Sequence, residues 1–173
     1  MLSRPGKLNL LFKELGNIDI DISTFNNRKK LQKTVYILSK MGLKFNYPYN
    51  WYLHGPYSPT LTEDAYELSR NKAYYDDEIK KYHFKQNAQD IINKFKELFQ
   101  DKMNDEEWLE LIASLLFLQD NYRATGEKLK HILLQKKDKF REKQELVDEA
   151  IDFIKKITVQ QNAAPDRYSA GAP

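Results

Sequence analysis

Cysteine is absent from the 173 residues of this chain. That excludes a disulfide framework and any thiolate metal site, and it makes a reducing cytoplasm the expected compartment. Histidine is scarce: His54, His83 and His131 stand far apart without metal-ligand spacing, so no metal and no cofactor is expected. The six glycines form neither a phosphate-cradling loop nor a dinucleotide-binding pattern, which removes the usual routes to nucleotide binding. Long apolar runs are missing too. The longest, Leu115-Leu116-Phe117-Leu118, falls well short of the roughly 18 residues that mark a membrane span. No basic-then-apolar leader precedes Leu8. The expectation is a soluble cytoplasmic protein that makes no membrane contact.

What is present is aromatic and charged. The chain is 41% hydrophobic and 31% charged, with eleven Tyr, nine Phe and two Trp, a composition that favours one globular domain over disorder. Residues 1–75 hold eleven Lys/Arg against six Asp/Glu, whereas residues 76–173 hold seventeen against nineteen. The basic front half is compatible with nucleic-acid contact. The acidic groups Glu63/Asp64, Asp76/Asp77 and Asp105/Glu106/Glu107 fall at turns or helix starts, where carboxylates favour the helix dipole. His54 and Ser58 are close in sequence, but no glycine-bracketed nucleophile surrounds Ser58, and a Ser before Pro suits a helix cap. No catalytic residue is assigned.

Apolar spacing predicts a first helix through Leu8, Leu11, Phe12 and Leu15, stopped by Gly16. The stretch 17–25 alternates and reads as an extended piece or a loop. A second helix, capped by Asn26 or Asn27, carries Leu31, Val35, Leu38 and Met41 inward and ends at Gly42. Arg28, Lys29, Lys30, Lys33 and Lys40 fall off that stripe. Cations in a first helical turn oppose the dipole, so they read as wanted for something outside the helix. Residues 43–53 alternate like a strand, with Phe45, Tyr47, Tyr49, Trp51 and Leu53 on one parity, and Pro48 restricts them to an edge. Gly55 and Pro56 force a turn, and Ser58-Pro59 read as cap and first residue of a third helix. Tyr74 to Phe84 reads as two short strands around an acidic turn, the wing of a winged-helix unit. Beyond it lie helices over 90–99, from an Asn104 cap through Trp108 to Leu118, from Thr125-Gly126, and over 138–157. The predicted fold is mainly α (α+β): a single compact helical domain, 1–158, with a small winged-helix-like β hairpin. Within it, 28–84 form a helix, Gly-Pro turn, helix and hairpin unit, 90–158 are the helical remainder, and 159–173 are a flexible tail.

The segment 28–38, then the aromatic run, then His54-Gly55-Pro56-Tyr57-Ser58-Pro59-Thr60-Leu61 is similar to the YwgA-like proteins of bacteria and archaea. More distantly it resembles the Panacea antitoxin domain, which includes SocA-type proteolytic adaptors. Leu31-Gln32-Lys33 and Tyr36 match the first part of the shared pattern, and Gly55-Pro56, Ser58 and Leu61 match the second. The helix containing Leu111-Ile112-Ala113-Ser114 also looks YwgA-like. The resemblance implies a small helical domain that is no enzyme and acts by binding, neutralising a toxin or presenting a client protein.

Eight of the eleven tyrosines lie between residues 47 and 82, interleaved with cations. Half of such a set can pack inward while the rest form a surface, and Tyr, Trp and Arg dominate protein-recognition hot spots. The partner-binding residues predicted are Arg28, Lys29, Lys33, Tyr36, Trp51, His54, Tyr57, Tyr66 and Arg70, facing outward together. Gly55, Pro56 and Ser58 shape the turn. The alternative is a winged-helix regulator that lays 61–71 in a groove of nucleic acid, opposed by the acidic Glu63, Asp64 and Glu67.

Overall fold

The computed structural model describes residues 1–16 and 22–158. Most of the alternating stretch 17–25 and the whole tail 159–173 lie outside the described residues. Helix α1, Arg4–Glu14, starts where Ser3 Oγ accepts the Gly6 amide at 3.1 Å. Helix α2, Phe25–Lys40, is capped by Thr24, whose hydroxyl accepts the Asn27 amide at 3.1 Å, rather than by either asparagine. The chain then runs extended with alternating burial: Leu43, Phe45 and Tyr47 point inward and Lys44, Asn46 and Pro48 outward.

That run leads into a two-stranded antiparallel hairpin, β1 (Asn50–Tyr52) and β2 (Gly55–Tyr57), with Trp51 opposite Pro56. Ser58 and Pro59 open helix α3, Pro59–Arg70, as cap and first residue. The expected wing over 74–84 does not form; this is a correction. Helix α4, Lys72–Glu78, and a 3-10 turn, Ile79–Lys81, occupy that stretch. They are held by partners remote in sequence: Asp76 accepts from Asn9 at 2.9 Å and Glu78 from the Ser3 hydroxyl at 2.8 Å. Among the described residues the small hairpin is instead the one that carries the Gly-Pro pair.

Helices α5 (Gln86–Phe99), α6 (Glu106–Tyr122), α7 (Gly126–Lys136) and α8 (Gln144–Thr158) complete the described residues. Asp105, not Asn104, caps α6, accepting the Trp108 amide at 3.0 Å. The helix expected over 138–157 begins later, because a 3-10 turn at Asp138–Phe140 first buries Phe140 completely. Helix α6 is the axis of the core. Trp108, Leu109, Leu111, Ile112, Leu115 and Leu118 are all buried, and α2, α7, α8 and β2 pack around it.

Gly55 is where the hairpin meets that axis. Its φ of +87° is costly for any residue with a Cβ. A Cβ built there would also collide with Ser114 Oγ on α6. Gly55→Ala is expected to lose about 2–4 kcal/mol of stability in urea unfolding, from strain plus overpacking. Adding Ser114→Gly should return only the collision part of that loss, since the backbone strain stays.

Candidate functional site

A groove of about 470 Å³ opens between α2, the hairpin and α3. Helix α2 contributes Phe25, Arg28, Lys29, Gln32 and Lys33. The hairpin contributes Tyr52, Leu53, His54, Gly55 and Tyr57, and α3 adds Thr62 and Tyr66. None of these lining residues is acidic. The volume lies within the range of ordinary ligand pockets.

The walls are tied together by polar side chains. Gln32 clamps α2 to the start of α3: its amide nitrogen donates to the Ser58 carbonyl at 2.8 Å and to Thr62 Oγ1 at 2.9 Å, while its oxygen accepts the Ser58 amide at 2.9 Å. The Thr62 hydroxyl in turn donates to the Tyr57 hydroxyl at 2.9 Å. Phe25 meets His54 edge-on with ring centroids 5.1 Å apart, and Tyr52 meets Tyr57 in the same way at 5.1 Å.

Beside the hairpin tip lies a charge hub centred on Glu110 of α6, which is 0% exposed. Lys137 Nζ stands 2.5 Å from its Oε1, and Lys139 and Lys29 stand 2.8 and 3.2 Å from its Oε2. The contacts to Oε2 are charge contacts rather than aligned hydrogen bonds. His54 Nδ1 is 3.8 Å from the same oxygen. Lys137 also donates to the Leu53 carbonyl at 3.1 Å, so the hub pins the turn of the hairpin. Burial alone would raise the Glu110 carboxyl, but the hydrogen bond from Lys137 and the close positive charges of Lys137 and Lys139 bring it down to about 2. Burial lowers His54 and Lys137 despite the opposing pull of Glu110.

Lys33 forms the groove floor. It is only 2% exposed, and its ammonium donates to the Pro56 carbonyl at 2.6 Å. Burial lowers it to about 7; Glu110 opposes that shift, and Lys137, Lys29 and Lys139 add to it.

The residues expected to face outward together divide into three groups. Arg28, Lys29, Lys33, His54, Tyr57 and Tyr66 do line one groove, and Gly55 lies in its wall. Tyr36 and Trp51 lie apart from it against Phe117 of α6, with Tyr36 buried, so they support the hairpin. Arg70 sits at the end of α3 against Glu67 at 3.6 Å, outside the groove. The cations also are less free than their first-turn positions suggested. Lys33 is buried, Lys29 spans Glu106 at 3.4 Å and Glu110, and Arg28 donates to the Ile22 carbonyl at 2.8 Å. Sequence reasoning missed Tyr52, Phe25 and Gln32 as groove residues, and Glu110, Lys137 and Lys139 as the rest of the hub that Lys29 and His54 join. The signal was there for Glu110, the lone charged residue in the run 108–118.

Chemically, the arrangement can take an apolar or aromatic group between rings and an anion beside lysines. Among the described residues, no cluster of His, Cys, Asp or Glu is placed to hold a metal ion. Among them, too, no helix is long and apolar enough to cross a membrane.

No family model matches the chain, and no solved structure matches it. It is similar to "Uncharacterized protein YwgA" of Bacillus subtilis (strain 168), with 26% identity over 172 aligned residues. The alignment covers 91% of this chain and 98% of that protein. The likeness runs through nearly the whole of both chains.

Proposed function

We propose that this chain is a non-enzymatic interaction module, antitoxin-like or adaptor-like, that holds a segment of a partner protein in the groove between α2, the hairpin and α3. One observation carries the reading. Phe25, Tyr52, Tyr57 and Tyr66 converge with Arg28, Lys29 and Lys33 on a concavity whose walls are cross-tied by Gln32 and the Glu110 hub. Rigid aromatic anchors around a preformed concavity are the usual makings of a binding hot spot.

The test is recovery of bound protein from the native host in the presence of nucleases. Tyr52 and Tyr66 are partly exposed rings, and among the described residues only Tyr52 has a ring partner, Tyr57, so Tyr52→Ala plus Tyr66→Ala should cost no more than about 2 kcal/mol of thermal stability and leave the chain folded. The pair should nevertheless weaken partner binding by at least about tenfold, as loss of hot-spot rings does. Unchanged recovery with the double variant would refute the assignment of the groove. Duplex DNA binding that falls more than about tenfold between low and physiological salt would replace the reading with a nucleic-acid one.

A further inference from the structure

The Glu110 hub holds more positive charge than it neutralises. Three ammonium groups, those of Lys29, Lys137 and Lys139, converge on one carboxylate. Lys29 alone has a second acidic partner, Glu106. Lys33 lies behind them, and no lining residue of the adjoining groove is acidic.

The surplus is also directed. Lys137 is enclosed and occupied by Glu110 and the Leu53 carbonyl. The Lys139 side chain is 41% exposed and His54 40%, so these two meet solvent at the hairpin tip. Glu110 pre-positions the lysines, so less side-chain entropy is lost when an anion arrives. Phe25 and Tyr52 present apolar surface beside His54 in the concavity that the hub adjoins. A cationic ligand is repelled here, and a purely apolar one leaves the excess charge uncompensated.

We propose that the occupant of the groove is an acidic protein segment, with a carboxylate taken by Lys29, Lys139 and His54 and a neighbouring large apolar side chain seated between Phe25, Tyr52 and Tyr66. The inference rests on the reading of the groove as a partner site and specifies the chemistry of that partner. A nucleic acid fits less well, because Glu63, exposed on α3 next to Thr62 of the groove wall, opposes a run of phosphates. The concavity of about 470 Å³ has room for a few side chains rather than a duplex.

The experiment is selection of random-sequence 12-residue peptides displayed against the full chain, with the winners mapped by amide chemical shifts. Winners should carry Asp or Glu beside a large apolar residue and should shift resonances of Lys29, His54 and Tyr52. Replacing their acids by Asn and Gln should weaken binding at least about tenfold, the loss expected when a charge-assisted contact is removed. Lys139→Gln should weaken the acidic peptide about five- to tenfold. Lys143→Gln, which removes only the exposed partner of Glu107, should leave it unchanged. Winners that map to the groove but bind equally well as amide isosteres would overturn the anion subsite and leave the binding-module reading standing. Absence of any groove-binding winner would refute both. Tighter binding of a 12-nucleotide oligothymidylate than of the best acidic peptide, at physiological salt, would overturn the acidic-protein occupant.

Discussion

Glu110→Gln is expected to destabilise the chain by about 3–5 kcal/mol in chemical denaturation, as removal of one partner from a buried ion pair does. The magnitude follows from what the substitution leaves behind. Lys139 can swing into solvent, but Lys137 cannot, being 5% exposed and tied to the Leu53 carbonyl. Its ammonium would stay buried without a countercharge, facing a carboxamide that can also present a donor. The hairpin turn should loosen in the same variant, because Lys137 joins Leu53 to Glu110. By contrast, Glu106→Gln affects a half-exposed carboxylate on Lys29 and should cost under about 1 kcal/mol. Replacing both partners by apolar residues, Glu110→Leu with Lys137→Met, should recover much of the loss, since the double change leaves neither charge stranded. A double variant as unstable as the single one would show that the hub acts through the other lysines instead.

The same substitution has a pH signature. The folded-state value of Glu110 is near 2 and its ordinary value 4.5. Its stabilisation is therefore fully present above about pH 4.5 and is lost as pH falls toward 2. In Glu110→Gln that part of the acid limb should disappear. A residual limb should remain from Asp76, which hydrogen bonds from Asn9 and Lys72 hold below the carboxylate range.

How far the residues themselves announced this architecture depends on the distance over which each interaction acts. Local chemistry read well. Ser58-Pro59 starts α3, Gly42 and Gly16 take positive φ after their helices, and burial alternates from Leu43 to Tyr49 as the aromatic parity required. The apolar face of α6 was equally plain. Where the reading failed, distant partners decided the outcome. The aromatic stretch from Tyr74 has the composition of a strand, yet Asn9, Lys13 and Ser3 of the first helix region bind Asp76 and Glu78 and hold α4 helical. Lys33 looked solvated because charge normally is. Only the hairpin laid across α2 shows that its ammonium is needed under the Pro56 carbonyl. The groove was half visible for the same reason: its α2 wall could be read from the basic helix. Its electrostatics come from Glu110, Lys137 and Lys139, brought from two other segments.

Lys33 yields the second large effect, and its direction is opposite to that of an ordinary salt bridge. Its ammonium has an ordinary value of 10.5 and a folded value near 7. Between these limits the unfolded chain binds a proton that the folded chain has released, so stability rises as pH increases from about 7 toward 10. A shift of that size corresponds to roughly 2–4 kcal/mol over the window, at 1.4 kcal/mol per unit and with allowance for relaxation around the amine. Lys137, lowered by burial, adds to the rise. Tyr36, Tyr47 and Tyr49, all raised by burial, act with the reverse sign, but only above about pH 10. Urea midpoints measured from pH 6 to pH 10 should therefore climb in the wild type. Lys33→Met keeps most of the volume and removes the titrating group. It also leaves the Pro56 carbonyl without its donor, a cost of about 1–3 kcal/mol that does not vary with pH. The slope, not the absolute stability, is thus the decisive quantity: it should become distinctly shallower in Lys33→Met, with the remainder due to Lys137 and, at the acid end, His54. A wild-type profile that is level or falling across this window would mean that Lys33 keeps its proton in the folded chain, as a permanent buried cation at the base of the groove.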